Sequence, residues 1–142
     1  MQTVRQLIQA KQGSLVTVSP ESSVREALLL MAEHEIGAVL VVEAGQLVGV
    51  MSERDYARKV VLKGRLLQDT AVREIMTERV VYAQPDLTVP ECLALMSDKH
   101  IRHLPVIEHG DLIGILSIGD LVTATISEQQ FIIEQLEHYI SG

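Results

Sequence analysis

A shift of 65 residues lays one half of this chain onto the other without a gap. Pro20–Asp55, PESSVREALLLMAEHEIGAVLVVEAGQLVGVMSERD, aligns with Pro85–Asp120, PDLTVPECLALMSDKHIRHLPVIEHGDLIGILSIGD, and 14 of the 36 positions are identical. The matched pairs include Pro20 and Pro85, Met31 and Met96, Gly45 and Gly110, Gly49 and Gly114, Ser52 and Ser117, and Asp55 and Asp120. An ungapped match of this extent marks a tandem of one supersecondary unit. One copy alone would bury too little surface to be stable, so the two must share the work of folding.

Both copies follow the same local grammar. A short strand, Leu15–Val18 or Val80–Ala83, ends at the proline. A helix follows, opened by the capping-box pairs Ser23 with Glu26 and Thr88 with Glu91. Its apolar face is Val24, Ala27, Leu28 and Met31 in one copy and Val89, Cys92, Leu93 and Met96 in the other. Two strand-like runs then form a tight hairpin, Ala38–Val42 with Leu47–Met51 and Leu104–Ile107 with Leu112–Leu116. Gly45 and Gly110 supply the positive φ such turns need. A second helix starts near Ser52 or Ser117, and the first of these ends by Gly64.

The expected fold is therefore α/β, with tandem β-α-β-β-α repeats forming two small mixed sheets packed by pseudo-twofold symmetry. The expected divisions are an N-terminal helix over 1–14, repeat 1 over 15–64, a linker over 65–79, repeat 2 over 80–126 and a C-terminal amphipathic helix over 127–142. The linker reads as polar with one anchor, VREIM. Val4, Leu7 and Ile8 form a short terminal stripe, and Phe131, Ile132, Leu136, Tyr139 and Ile140 a longer one.

Composition removes several function classes. Twelve Lys and Arg against 19 Asp and Glu give a net charge of −7, which disfavours nucleic acid and an anionic membrane. A single cysteine, Cys92, allows no internal disulfide. The first residues lack an unbroken apolar run, and no segment reaches membrane-spanning length, so a cytoplasmic protein is expected. No P-loop, GxGxxG or nucleophile–His–acid set is present, so no enzyme is expected.

Each copy closes on G-h-x-[ST]-x-x-D, as Gly49-Val50-Met51-Ser52-Glu53-Arg54-Asp55 and Gly114-Ile115-Leu116-Ser117-Ile118-Gly119-Asp120. With the proline after the first strand, the small-turn hairpin and the strings MSERDYARKV and IRHLPV, each copy resembles a cystathionine-β-synthase (CBS) domain. The pair resembles a Bateman module of the stand-alone bacterial type, over Leu15–Ile126. The resemblance implies a sensor that binds an adenosine-containing ligand (AMP, ADP, ATP, NAD or S-adenosylmethionine) between the two sheets, without a metal. It also implies a homodimer and a separate regulated protein as partners. The signature Asp would accept from ribose hydroxyls, the Ser and neighbouring helix amides would hold phosphate, and aliphatic walls would take the adenine. The residues so implied are Thr17, Pro20, Gly37, Ala38, Val39, Ser52, Arg54 and Asp55 in the first copy. In the second they are Tyr82, Pro85, Arg102, His103, Leu104, Pro105, Ser117, Gly119 and Asp120.

The chemistry of these residues leaves a plainer reading open. A helix N-terminus suits an anion, and a carboxylate can take both hydrogen bonds of a vicinal diol. Yet Ser-x-x-Asp is also a capping box in its own right. Arg102 and His103 replace Gly37 and Ala38, so the two copies differ chemically, and both side chains also have ordinary structural roles open to them. His100 and His103 have no third metal ligand nearby, and Cys92 reads as core rather than nucleophile. The basic run Arg54, Arg58, Lys59, Lys63 and Arg65 reads as a solvated helix face or a phosphate-facing patch. The principal rival function is a ligand-free interaction protein that regulates a partner by contact.

Overall fold

The computed structural model describes residues 1–11 and 15–141. In chain order the elements are α1 (Val4–Ala10), β1 (Thr17–Val18), α2 (Val24–His34), β2 (Ala38–Glu43), β3 (Gln46–Ser52), α3 (Glu53–Tyr56), α4 (Val89–Lys99), β4 (His103–Glu108), β5 (Asp111–Ser117) and α5 (Ile118–Ser141). A π-helical turn over Ala57–Val61 continues α3, and a 3-10 turn covers Val72–Glu74. The chain divides into two compact units, Ser14–Val81 and Met1–Gly13 with Tyr82–Gly142. The class is α/β, and each unit carries one repeat and one small sheet.

In the Ser14–Val81 unit, β1 runs parallel to β2 and β2 antiparallel to β3. Val18, Val24, Ala27, Met31, Val39, Val41, Met51 and Val60 form its core. Ser23 Oγ accepts from the Glu26 amide at 3.1 Å, which caps α2. In the other unit the capping box is complete, with Thr88 N–H donating to Glu91 Oε1 at 3.2 Å and Glu91 N–H to Thr88 Oγ1 at 3.3 Å. Both hairpin turns place two successive residues at positive φ, Ala44 (51°) with Gly45 (77°) and His109 (51°) with Gly110 (82°). That is the two-residue geometry whose twist matches the strands. The sequence signal had covered only the glycines.

The second sheet departs from expectation at its first strand. Val80–Ala83 forms no strand; only Ala83 pairs, in parallel, with Val106. Ala83 N–H donates to Pro105 O at 2.8 Å and accepts from Ile107 N–H at 3.0 Å. The next rung would need an N–H from Pro105, which proline lacks, so the ladder stops there. Leu40 stands at the equivalent place in the first copy and pairs with Thr17.

The segments outside the aligned copies are themselves a repeat. Val4-Arg5-Gln6-Leu7-Ile8 matches Val72-Arg73-Glu74-Ile75-Met76 at an offset of 68. Each is a helical piece that packs beside a repeat, and the residue just before it makes a single antiparallel bridge, Thr3 with Thr88 and Ala71 with Ser23. Arg5 N–H donates to Pro85 O and Arg73 N–H to Pro20 O, both at 2.9 Å. The buried prolines thus anchor the extra segment by their carbonyls. Val4, Val72 and Ile75 are fully buried. The supposed linker is therefore part of the first repeat's core, and the N-terminal helix completes the second repeat. The offset of 68 instead of 65 hid this from an ungapped comparison.

A Cβ at Gly114 would lie 2.4 Å from Ile8 Cδ1, and one at Gly49 would lie 2.7 Å from Met76 Sδ. The signature glycines are there to let these two side chains close down on the hairpin. The C-terminal stripe is not a separate helix either. It is the outer half of α5, which runs unbroken for 24 residues from the end of β5.

Candidate functional site

The signature builds the same corner twice. Ser52 ends β3 and caps α3; Ser117 ends β5 and precedes α5. Ser52 N–H donates to Asp55 Oδ2 at 2.9 Å, and Asp55 N–H returns to Ser52 Oγ at 3.2 Å. In the second copy the distances are 2.8 Å from Ser117 N to Asp120 Oδ2 and 3.1 Å from Asp120 N to Ser117 Oγ. The first helical amide is also engaged, as Glu53 N–H donates to Gly37 O at 3.0 Å and Ile118 N–H to Arg102 O at 2.8 Å. Gly37 and Arg102 thereby tie the strand entrance to the helix start. The capping reading of Ser-x-x-Asp is realised in both copies, and two of the first-turn amides a phosphate would use already have acceptors.

Each aspartate also holds a lysine, but from a different source. Lys59, one turn along from Asp55, sets Nζ 3.1 Å from Asp55 Oδ1 and donates to Ile75 O at 2.9 Å. Lys11, beyond α1, sets Nζ 2.9 Å from Asp120 Oδ2 and donates to Ile115 O at 2.8 Å. Thr77 Oγ–H adds a bond to Asp55 Oδ1 at 3.2 Å, so both oxygens of that carboxylate are engaged. The Asp55 side chain is 11% exposed, whereas the Asp120 side chain is 33% exposed and its bonds from described residues converge on Oδ2. Burial alone would raise the Asp120 pKa; the Ser117 amide and Lys11 outweigh it and hold the carboxyl below its usual range. A carboxylate beside an ammonium can serve a hydroxyl and an anion at once.

The other expected residues are spread over both units. Thr17 is exposed at the start of β1, and Ala38 and Val39 are buried in β2. Val39 belongs to its unit's core, and Leu104 and Pro105 are buried in β4. Tyr82, Arg54, Arg102 and Gly119 are exposed, and His103 is half-buried at the start of β4. No sequence motif links Lys11, Lys59 or Thr77 to the signature aspartates. Their contacts with the aspartates depend on segments that read as terminal or linker, so only the folded chain brings them in. Cys92 is fully buried, and burial with the nearby Glu91 pushes its thiol up to about 11, as for a core residue. Among the described residues no group of His, Cys, Asp or Glu is placed to hold a metal, and no helix is long and apolar enough to cross a membrane.

The CBS-domain family model matches residues 4–62 and 72–127. This chain belongs to the CBS-domain family. Its matches begin at Val4 and Val72, the starts of the two extra segments, so the family unit includes them. The CBS domain-containing protein CBSX3, mitochondrial, of Arabidopsis thaliana is 38% identical over 135 residues, covering 92% of this chain and 66% of that protein. The chain thus spans about two thirds of that relative's length. A solved protein with CBS domains from Burkholderia ambifaria is 48% identical, with a TM-score of 0.86 over 89% of this chain and 96% of that one. The CBS domain pair of MJ0100, solved with 5′-methylthioadenosine and S-adenosyl-L-methionine, shares the fold at 24% identity and a TM-score of 0.79 over 90% of this chain and 98% of that one.

Proposed function

We propose that this CBS pair is a non-catalytic regulatory module that binds an adenosine-containing ligand through its signature corners and acts as a homodimer on a separate protein. The observation that carries this reading is the twice-built Ser–Asp–Lys corner, with Asp120 the more open of the two. Such a corner offers an acceptor for ribose hydroxyls and a cation for phosphate or carboxylate, at the start of a helix whose dipole favours an anion. A protein of the same fold, MJ0100, takes two adenosine compounds. Ligand entry at either corner exchanges existing bonds: the diol replaces a lysine, and the phosphate replaces a serine at a first-turn amide.

A thermal-shift screen with AMP, ADP, ATP, NAD and S-adenosylmethionine tests the reading. A ligand at a hundred times its Kd adds about 2.7 kcal/mol of stability. Asp120→Asn and Asp55→Asn should each weaken binding at their own corner about ten- to a hundredfold, because hydrogen bonds to a charged group contribute about 1.5–3 kcal/mol. Variants that bind like the parent and only melt earlier would reduce the aspartates to caps.

The complete engagement of Asp55 favours a second reading for the first copy, in which its corner is purely structural and regulation runs by contact. That reading predicts one ligand per chain, or no shift with any nucleotide.

A further inference from the structure

We propose that the outer half of α5 pairs with the same helix of a second copy as a short, parallel, in-register coiled coil, with Gln129 fixing the register. The family match ends at residue 127, but α5 continues to Ser141, and residues 129–141 are all exposed. Along it, positions spaced alternately four and three apart are apolar except at Gln129. Ile126, Ile133 and Ile140 fall at heptad position a, and Val122, Gln129 and Leu136 at position d. Ile126 is 60% exposed, Ile133 47%, Leu136 56% and Ile140 82%. A helix segment of this length, rich in β-branched residues and without a packed face, is marginal in water.

A second copy of α5 is the occupant this seam fits. Isoleucine at a with leucine at d is the pattern of two-stranded parallel coils, and here the a positions are all isoleucine while d holds Val122, Gln129 and Leu136. Ile132 and Tyr139 flank the seam at g, and the acidic Glu128, Glu134 and Glu137 lie at c, b and e, so no like charges meet in its centre. Those carboxylates also repel an anionic lipid surface. Seven large side chains, each covering on the order of 100 Å², approach the area of about 800 Å² per partner found in stable interfaces.

Gln129 decides the direction. In a parallel pair it faces Gln129 of the partner subunit, and each amide satisfies the other. In a fully overlapped antiparallel pair it would face Ile133 of the partner subunit and lose its hydrogen bonds on burial. A single polar seam residue is the usual device for fixing register.

The test uses the full chain in sedimentation equilibrium at micromolar concentration, with circular dichroism to confirm folding. The parent should be dimeric. Ile133→Asp puts two like charges face to face in the seam and should weaken association more than about a hundredfold. Phe131→Asp changes another exposed apolar residue of the same helix, at position f, and should leave the dimer intact. Gln129→Cys should give a covalent dimer on oxidation, since the single native thiol, Cys92, is buried. A monomeric parent, an Ile133→Asp protein still dimeric, or a Phe131→Asp protein that dissociates equally overturns the seam. An Ile133-dependent dimer whose Gln129→Cys form does not cross-link overturns the parallel register. None of these outcomes depends on nucleotide binding.

Discussion

The two repeats share a signature but spend it differently. In the first, Asp55 is buried, bonded through both oxygens and held by a lysine of its own helical segment; that segment passes into a π-turn and stops at Gly64. In the second, Asp120 is open on one side, and its lysine arrives from the N-terminal segment. Its helix runs 24 residues and leaves the module. Duplication supplies two equal corners; what the neighbouring segments deliver to each leaves one closed and the other partly open. The basic run between them divides likewise. Lys59 is bound inward, while Arg58 and Lys63 are solvated and Arg65 lies 3.7 Å from Glu74.

The widest gap between the corners should appear on removing the carboxylates. Asp55→Ala removes the buried carboxylate shared by Ser52 N–H, the Thr77 hydroxyl and Lys59, and should cost about 2 kcal/mol. Asp120→Ala loses mainly a cap and should cost about 1 kcal/mol. Urea denaturation measures both, and equal losses would break the comparison.

The signature glycines should differ next. A Cβ at Gly49 meets Met76 and, at 3.1 Å, the backbone oxygen of Thr77, which cannot turn aside. Gly49→Ala should therefore cost about 2 kcal/mol of overpacking. At Gly114 the three nearest atoms are all in the Ile8 side chain, whose end can rotate, so Gly114→Ala should cost less than about 1 kcal/mol. Adding Ile8→Ala to Gly114→Ala should relieve the clash.

Acid sharpens the contrast further. Folding lowers the Asp120 pKa, so it favours the ionised form. Its contribution is complete above the unfolded value of about 3.9 and is lost as pH falls through the lower folded value. The Tm gap between the parent and Asp120→Asn should hold from neutral pH to about pH 5 and close below about pH 4. A gap that widens on acidification would reverse the assigned sign.

The smallest effect should be shared by both copies. Ala44 and His109 both sit at φ 51°, where asparagine is better tolerated. Ala44→Asn and His109→Asn should each add about 0.5 kcal/mol. Unequal gains would show that the two turns are not equivalent.

Much of this protein was already legible in its residues. The repeat, the order of strands and helices, the capping serines and threonine, and the signature with its CBS resemblance rest on local patterns, and local patterns report backbone preferences within a few residues. The first strand of the second copy was misread because the donor it lacks belongs to Pro105, more than twenty residues away. The linker was misread because VREIM is polar on its solvent side and buried only at Val72 and Ile75. Which lysine reaches which aspartate was decided by tertiary structure alone. Lys11 and Asp120 are 109 residues apart, and no periodicity encodes a contact made when a segment folds onto a distant corner.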